Sequence, residues 1–497
     1  MADSPTSGLC FGPLIFIYSK ITFLEKRDKV ESLGFQLASF CRQKEMKHTK
    51  RFLKRVFIGA LILLIALSAF AYYNRNPVKL VDVPLTSLQE KLDVTKLDNG
   101  MTVTIKEMHT IPLTTIQFWI KTGSKNEPEQ YLGIAHIFEH MWFKGTPTQP
   151  VGSFDKKVGM LGGELNAYTS MDWTLFYVTV PSDKFDDIFP YMVDLLFNPS
   201  FDEKELEKEK KVVLEEQRFQ YNEPEKFTDD QFVQMLIDEH PYKNPIIGYK
   251  STISAATREA VVNFYKTWYA PNNMNIIVVG DVNKDEILKK VKNAFEKWEP
   301  KELPKLEFPT QEPHTTPRYN SSYRDLGYTY IELGFVGPKA TNKDKYAMHV
   351  LETIFAEGDS SRTEQIVKKQ KNLITKGYGG FTALNDMGVF WYMAITDKDK
   401  AGAAKAELLL QLNRFKTEYV TDEELEKAKT MLRAGRVKSQ EQILQVGLNI
   451  GESWVDGNTY EYLQFIDNIN KVTKEDIRMA AQKYFTAYTM YELKPKL

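Results

Sequence analysis

The sequence is poor in cysteine, and both of its cysteines, Cys10 and Cys41, lie within the first 45 of its 497 residues. The rest of the chain therefore has no thiol that could form a disulfide, attack a substrate or bind a metal. An excess of charge is also lacking, because 65 basic and 66 acidic residues give a formal net charge of −1. A chain so balanced offers no basic surface for nucleic acid or for an anionic membrane. Composition thus excludes thiol enzymes and nucleic-acid-binding proteins.

Histidine is scarce as well, with seven in the chain, and two of them fall within His136-Ile137-Phe138-Glu139-His140. The apolar spacing of this segment predicts a half-buried helix, on which positions i, i+3 and i+4 share one face. His136, Glu139 and His140 would then converge on one point. Two imidazole ligands with a carboxylate beside the metal-bound water form the arrangement of a catalytic zinc, and His-x-x-Glu-His is the inverted zincin signature. The alternative is a pair of surface histidines on an amphipathic helix.

A third ligand is expected downstream, since zinc in hydrolases usually takes three protein ligands and leaves a fourth position for water. Residues 201–218 contain neither glycine nor proline and favour a helix. On that helix Glu209 and Glu216 are seven residues apart and share one face. Taken alone, this acidic and basic run is more typical of a solvated helix than of a ligand-bearing one.

Together the two segments resemble the pitrilysin family, in particular the branch that includes the mitochondrial processing peptidase and its bacterial relatives. In that family a glutamate in a Val-Val-Leu-Glu-Glu-like segment follows the histidine motif as third zinc ligand. Here 75 residues separate His140 from Glu216, the spacing that the family shows. The resemblance implies that His136, His140 and Glu216 bind one Zn²⁺ per chain. It also implies that Glu139 is the general base and that Glu209 orients the site from behind.

A candidate substrate strand follows the histidine motif. Residues 162–170 resemble the family strand whose edge pairs with the peptide backbone, and Leu165, Ala167 and Thr169 alternate as a strand requires. The resemblance therefore implies that Leu165, Asn166 and Ala167 hold the substrate by strand addition. Without the family, an ordinary hairpin is an equally good interpretation of the same residues.

The chain also repeats itself in character. Residues 115–120 recur at 330–335, and residues 257–265 recur at 473–481, at offsets of 215 and 216. A period this long indicates two homologous domains. We expect an α+β fold with two processing-peptidase-like domains, each an antiparallel sheet packed with helices.

Proline marks the boundary between these domains, because five prolines between positions 300 and 317 forbid a regular element. We therefore predict a zinc-bearing peptidase domain at 81–298 and a proline-rich linker at 299–318. A homologous carboxy-terminal domain without a zinc motif would occupy 319–497.

One departure from the family concerns the half of the enzyme that faces the zinc. Active members carry there an arginine and a tyrosine seven residues apart, but the corresponding positions hold Lys368 and Thr375. Lysine lacks the planar fork of arginine, threonine cannot replace a phenol, and Tyr378 is three residues out of register. The resemblance thus implies a heterodimer with a homologous subunit that carries the Arg/Tyr pair, with a homodimer as the alternative.

Two functions of different classes remain open. The first is a zinc metalloendopeptidase that hydrolyses peptides or unfolded proteins through a zinc-activated water with Glu139 as base. The second is a structural or assembly subunit that has lost turnover, as the related core proteins of a respiratory complex have. The intact motif with Glu216 favours the enzyme, because a scaffold has no physical reason to keep three ligands and a base.

Long apolar runs are rare, and the clearest one bears on localisation. Residues 56–71 carry no charge, follow a basic cluster at 50–55 and end in a small-x-small cleavage pattern, the three parts of a secretory signal. Sixteen residues are short for a bilayer, which needs about 20, but Tyr72 and Tyr73 could extend them into an uncleaved membrane anchor. A buried helix of a soluble domain is the other alternative.

We therefore expect an amino-terminal extension at 1–80 with a signal or anchor helix at 56–73. The basic flank predicts that the domains after it lie in the periplasm, so that the protein belongs to the cell envelope. The true start is open between Met1 and Met46, since a chain beginning at Met46 would have a signal of ordinary length.

Overall fold

A computed structural model describes residues 91–496 of the chain. The predicted signal or anchor helix at 56–73 and the alternative start at Met46 lie outside the described residues. Within the described part, no helix is both long and apolar enough to cross a bilayer.

The structure consists of two sheets with helices packed on them. Strands and helices, numbered in chain order, have the following bounds: β1 Asp93–Lys96, β2 Thr102–Glu107, β3 Leu113–Ile120, α1 Ile134–Trp142, α2 Ser153–Met160, β4 Glu164–Thr169, β5 Thr174–Pro181, α3 Phe185–Phe197, α4 Glu203–Asn222, α5 Pro224–Leu236, α6 Lys250–Ala255, α7 Arg258–Trp268, β6 Met274–Gly280, α8 Lys284–Phe295, β7 Arg318–Arg324, β8 Thr329–Gly337, α9 Asp344–Ala356, a π-helix Thr363–Gln370, β9 Lys376–Ala383, β10 Gly388–Thr396, α10 Ala401–Thr417, α11 Asp422–Ser439, α12 Ile443–Val455, α13 Glu461–Lys471, α14 Lys474–Tyr484 and β11 Thr489–Pro495.

The two sheets repeat one strand order. The first runs β1-β2-β6-β3-β5-β4 and the second runs β7-β11-β8-β10-β9, so that β3 and β8 occupy equivalent central positions. These are the strands of the repeat seen in the sequence at 115–120 and 330–335. The second repeated segment begins a helix in each half, α7 and α14, and each helix is capped by a threonine side chain, Thr257 or Thr473. Two domains of mixed α and β structure are therefore present, as predicted.

The prediction of an antiparallel sheet in each domain is wrong for one pair of strands. One pair of strands in each sheet is parallel, β2 with β6 and β7 with β11. Both pairs join strands far apart in the sequence, where a long crossover connection permits parallel pairing that a hairpin cannot make. The sequence between α8 and β7 has no regular element, and β7 begins at Arg318, the last residue of the predicted linker.

Each domain lends a helix to the sheet of the other. Helix α5 follows the first domain's α4 but packs on β8 and β11 of the second sheet, while α12 of the second domain packs on β3 and β6 of the first. Phe232 of α5 and Ile450 of α12 are completely buried at these contacts. Burial of apolar surface on both sides of the exchange stabilises the described residues as one compact unit.

Glycine permits this exchange at two contacts with aromatic rings. A Cβ at Gly451 of α12 would lie 2.0 Å from Cε2 of Trp119 on β3, and a Cβ at Gly334 of β8 would lie 2.8 Å from Cζ of Phe232. In each contact a large ring of one domain thus fills the space that a glycine of the other leaves free. Helix α12 thus covers β3 and β6 of the first sheet, while the edge strand β4 is held by β5 and α1.

Candidate metal centre and active site

The histidine motif lies on α1, a helix of nine residues. Its apolar face, with Phe138 and Trp142, is completely buried and packs against Phe176 of β5, whose ring centroid lies 4.4 Å from that of Trp142. This packing fixes the rotation of the helix about its axis. His136, Glu139 and His140 therefore project together from the opposite face, as the i, i+3, i+4 spacing predicts.

Helix α4 brings Glu216 to the same point. Oε2 of Glu216 lies 3.9 Å from Nε2 of His136 and 3.8 Å from Nε2 of His140. Within residues 91–496, these three side chains form the one group of His, Cys, Asp or Glu that could hold a metal ion, with ligand atoms all within 4.8 Å of one another. Donors of a tetrahedral zinc with bonds of about 2.0–2.1 Å are about 3.4 Å apart, so the set fits zinc after movements of less than about 1 Å.

Glu209 contacts His140 at Nδ1, whereas Glu216 lies near the other ring nitrogen. Oε2 of Glu209 lies 3.1 Å from Nδ1 of His140, and its Oε1 lies 2.7 Å from Nζ of Lys144. An N–H at Nδ1 of His140 donates to this carboxylate and leaves the lone pair of Nε2 directed toward Glu216. Lys144, which sequence reasoning did not single out, holds the carboxylate from the other side.

His136 is also in the chemical form that a metal requires. Burial and the neighbouring His140 lower the pKa of His136 to about 3, so its imidazole is neutral at physiological pH. Its Nδ1 is buried and has no hydrogen-bond partner among residues 91–496, whereas its Nε2 faces Glu216. A neutral imidazole is the ligand form of histidine.

The carboxylate of Glu139 is held by the neighbouring strand. Its Oε2 accepts a hydrogen bond of 2.5 Å from Oγ1 of Thr169, at the end of β4. Burial raises the pKa of Glu139, while the hydrogen bond from Thr169 acts in the opposite direction. A carboxylate with a raised pKa is a stronger base near neutral pH than an ordinary one. The sequence showed Thr169 as part of the strand pattern, but its contact with Glu139 depends on packing that no local pattern reveals.

A cavity of about 460 Å³ opens over these groups. His136, Glu139, His140 and Glu216 line one side, and Asn166 and Ala167 of β4 line another. Strand β4 lies at the edge of the sheet, so its outer backbone groups can pair with an added strand.

Leu165 takes no part in the wall of this cavity. Its side chain packs against the hydrophobic core of the first domain. Of the three predicted substrate-strand residues, the structure thus brings two to the cavity.

Lys368 and Thr375 lie elsewhere. Lys368 is on the π-helix, where its Nζ pairs with Oε2 of Glu364 at 3.0 Å, and Oγ1 of Thr375 donates to the Ile395 carbonyl at 2.9 Å. The hydroxyl of Tyr378 donates to the Glu225 carboxylate. None of these three residues is among the described residues that line the cavity over His136, His140 and Glu216.

Comparison with known proteins finds matches along most of this chain. Residues 102–250 match the family model described as insulinase (peptidase family M16), and residues 255–432 match the model described as peptidase M16 inactive domain. An "Uncharacterized zinc protease" of Rickettsia felis is 30% identical over 407 residues, which are 81% of this chain and 97% of that protein. The chain belongs to peptidase family M16. The predicted resemblance to the pitrilysin family of inverted zincins is thereby confirmed.

Other M16 relatives are similar along most of their length. The zinc protease PqqE of Helicobacter pylori is 29% identical over 388 residues, 76% of this chain and 86% of that protein. A solved protease structure from the same organism superimposes with a TM-score of 0.77 at 26% identity, covering 82% of this chain and all of the other. An M16 inactive-domain structure from Pseudomonas fluorescens, with a TM-score of 0.76 at 18% identity, shows the same fold.

Proposed function

We propose that this chain is the zinc-bearing subunit of an exported metalloendopeptidase that hydrolyses peptides or unfolded proteins. The observation that carries the proposal is the convergence of His136, His140 and Glu216 beside the carboxylate of Glu139. The names of its M16 relatives, which are zinc proteases, support zinc as the metal. One Zn²⁺ per chain would be held by these three side chains.

A bound zinc would supply Lewis-acid chemistry, polarising the scissile carbonyl and making water acidic enough to attack near neutral pH. Glu139 accepts the proton of the attacking water and returns it to the leaving amine, so it acts first as base and then as acid. The hydroxyl of Thr169 fixes which oxygen of Glu139 is free, because it occupies Oε2. Glu209 and Lys144 hold His140 in one ring orientation throughout.

The peptide would add to the sheet as a further strand. Asn166 and Ala167 lie on the β4 edge and line the cavity over Glu139. Because Thr169 ends the same strand and contacts Glu139, backbone pairing along β4 places a peptide bond next to the base. Binding through main-chain atoms suits a substrate in extended conformation and gives only weak selectivity for its side chains.

The facing half of the active site is proposed to come from a partner. Lys368 and Thr375 are turned toward Glu364 and the Ile395 carbonyl, so this chain does not offer donors from those positions to the cavity. A homologous subunit with an arginine and a tyrosine at the corresponding positions would complete the active site in a heterodimer. A homodimer is the alternative assembly.

The second candidate is a structural subunit of such a dimer with little or no turnover. The same placement of Lys368 and Thr375 is the observation in its favour. For localisation we propose the cell envelope, with the M16 domains in the periplasm and the extension at 1–80 acting as signal or anchor.

Zinc analysis with a quenched-peptide assay tests the proposal, on the chain alone and with homologous partner chains. We expect one zinc per chain and its loss in Glu216→Ala. Glu215→Ala is the matched control, since Glu215 immediately precedes Glu216 on α4 but pairs with Arg218 at 2.8 Å. Full zinc content in Glu216→Ala would refute the third ligand. Normal zinc content without hydrolysis in any pairing would favour the structural subunit.

A further inference from the structure

The helix that carries the histidine motif begins without a cap of its own. Its N-cap is Gly133, which has no side chain to bond the free N–H groups of the first turn, and that turn contains no acidic residue. Free N–H groups at a helix start are normally satisfied by a side chain at the N-cap, and the helix dipole favours an acidic group there. Gly133 is required for another reason: at φ +96° it packs so tightly that a Cβ would lie 2.4 Å from the Ile247 carbonyl oxygen.

A glutamate outside the helix supplies the missing cap. Oε2 of Glu127 accepts a hydrogen bond of 2.7 Å from the N–H of Gly133, and Oε1 accepts one of 2.8 Å from the N–H of Ala135. Both oxygens of one carboxyl group are therefore used on one turn of α1. The next N–H along the chain belongs to His136, the first residue of the metal-binding group.

The segment that carries Glu127 is itself anchored at two points. The N–H of Ser124 donates to the Ser170 carbonyl oxygen at 3.0 Å, in the turn that follows β4. Nζ of Lys125 lies 2.6 Å from Oδ1 of Asp172 and 3.0 Å from Oδ2 of Asp386, which belongs to the second domain. These contacts hold the segment that carries Glu127 in place, so Glu127 can fix the position of the first turn of α1.

We infer that Glu127 is a positioning residue for the metal site, fixing the first turn of α1 so that His136 meets His140 and Glu216. The inference rests on the proposed metal site. With only nine residues in α1, a shift of the first turn moves His136 relative to Glu216 on α4, because the end of the helix remains packed by Trp142. Partners that orient metal ligands typically affect metal affinity by about 10–100-fold when they are lost.

The test measures metal binding directly. In the full chain, Glu127→Ala should bind Zn²⁺ about 10–100-fold more weakly in competition with a chelator. Cobalt substituted for zinc should give a visible absorption spectrum different from that of the unmodified protein. Glu127→Gln retains one carbonyl acceptor and should restore part of the affinity. The matched control is Glu129→Ala, since Glu129 is an exposed acidic residue of the same loop.

Three outcomes separate the possibilities. Weaker zinc binding and an altered cobalt spectrum in Glu127→Ala, with the control unchanged, support the inference. If Glu127→Ala does not fold, the same changes in smaller degree in Glu127→Gln support it. A variant that is less stable but has unchanged affinity and cobalt spectrum would show a structural role only and overturn the inference. Failure of the unmodified chain to bind metal would instead refute the proposed function.

Discussion

Gly451 gives the sharpest test of the helix exchange between the two domains. An alanine in a helix interior is about 1 kcal/mol more favourable than a glycine, so Gly451→Ala would stabilise an exposed helix. Here the added Cβ would lie 2.0 Å from Cε2 of Trp119, whereas carbon atoms pack at about 3.5–4.0 Å. Helix α12 or the ring must therefore move by about 1.5 Å.

Trp119 has no room to move. It is completely buried, its ring centroid lies 4.7 Å from that of Trp173, and its Nε1 donates to Oε1 of Gln117 at 2.8 Å. Overpacking of this kind costs about 1–3 kcal/mol, which exceeds the gain in helix propensity. We therefore expect Gly451→Ala to lower the free energy of unfolding by about 1–2 kcal/mol.

Gly435 provides the matched control. It lies in the interior of α11, and a Cβ there would meet no described atom within 4 Å. Gly435→Ala should raise the free energy of unfolding by up to about 1 kcal/mol, so the two variants change stability in opposite directions. Denaturant unfolding followed by circular dichroism measures both. A Gly451→Ala protein as stable as Gly435→Ala would refute the packing of α12 on the first sheet.

Three further predictions concern other parts of the molecule. Burial acts to raise the pKa of Asp194, but hydrogen bonds from four side chains outweigh it and lower the pKa to about 2. The ionised carboxylate therefore stabilises the folded protein above about pH 4, and this stabilisation is lost as the pH falls toward 2. Asp194→Ala should therefore lower the free energy of unfolding by about 1 kcal/mol at neutral pH, since solvent screens this partly exposed carboxylate, and by less at pH 2, as measured by unfolding at each pH. Lys368→Ala should change kcat/KM of the assembled enzyme less than about twofold, because Lys368 pairs with Glu364 away from the cavity; a collapse of the rate would show that this lysine does the work we assign to a partner. A reporter fused at residue 80 should be active only outside the cytoplasm, and activity inside would contradict the proposed export.

Local pattern was sufficient for the central part of the site. The i, i+3, i+4 spacing fixed the common face of His136, Glu139 and His140, and helix geometry put Glu209 and Glu216 on one side of α4. The choice of Glu216 over its acidic neighbours came from the family spacing, since nothing in residues 201–218 alone distinguishes a ligand from a solvated glutamate. The repeat likewise predicted two domains, because similar strands produce similar sheets.

Contacts between distant segments were beyond reach of the sequence. Glu127 caps α1 although it lies six residues before the N-cap Gly133. The N-cap preference concerns the side chain of the N-cap residue, so it does not predict this contact. The bond from Thr169 to Glu139 requires β4 to lie beside α1. The exchange of α5 and α12 is the clearest case. An amphipathic pattern predicts that one face of a helix is buried, but it does not predict the sheet against which that face packs.

Glu139→Gln tests the central claim most directly, because it removes the base and leaves every proposed zinc ligand in place. Zinc content and peptide hydrolysis are measured together on the assembled enzyme, with Glu139→Gln beside the unmodified chain. We expect one zinc per chain in both proteins and hydrolysis reduced by at least about 100-fold in the variant. Unchanged hydrolysis by a zinc-loaded Glu139→Gln protein would show that Glu139 is not the general base.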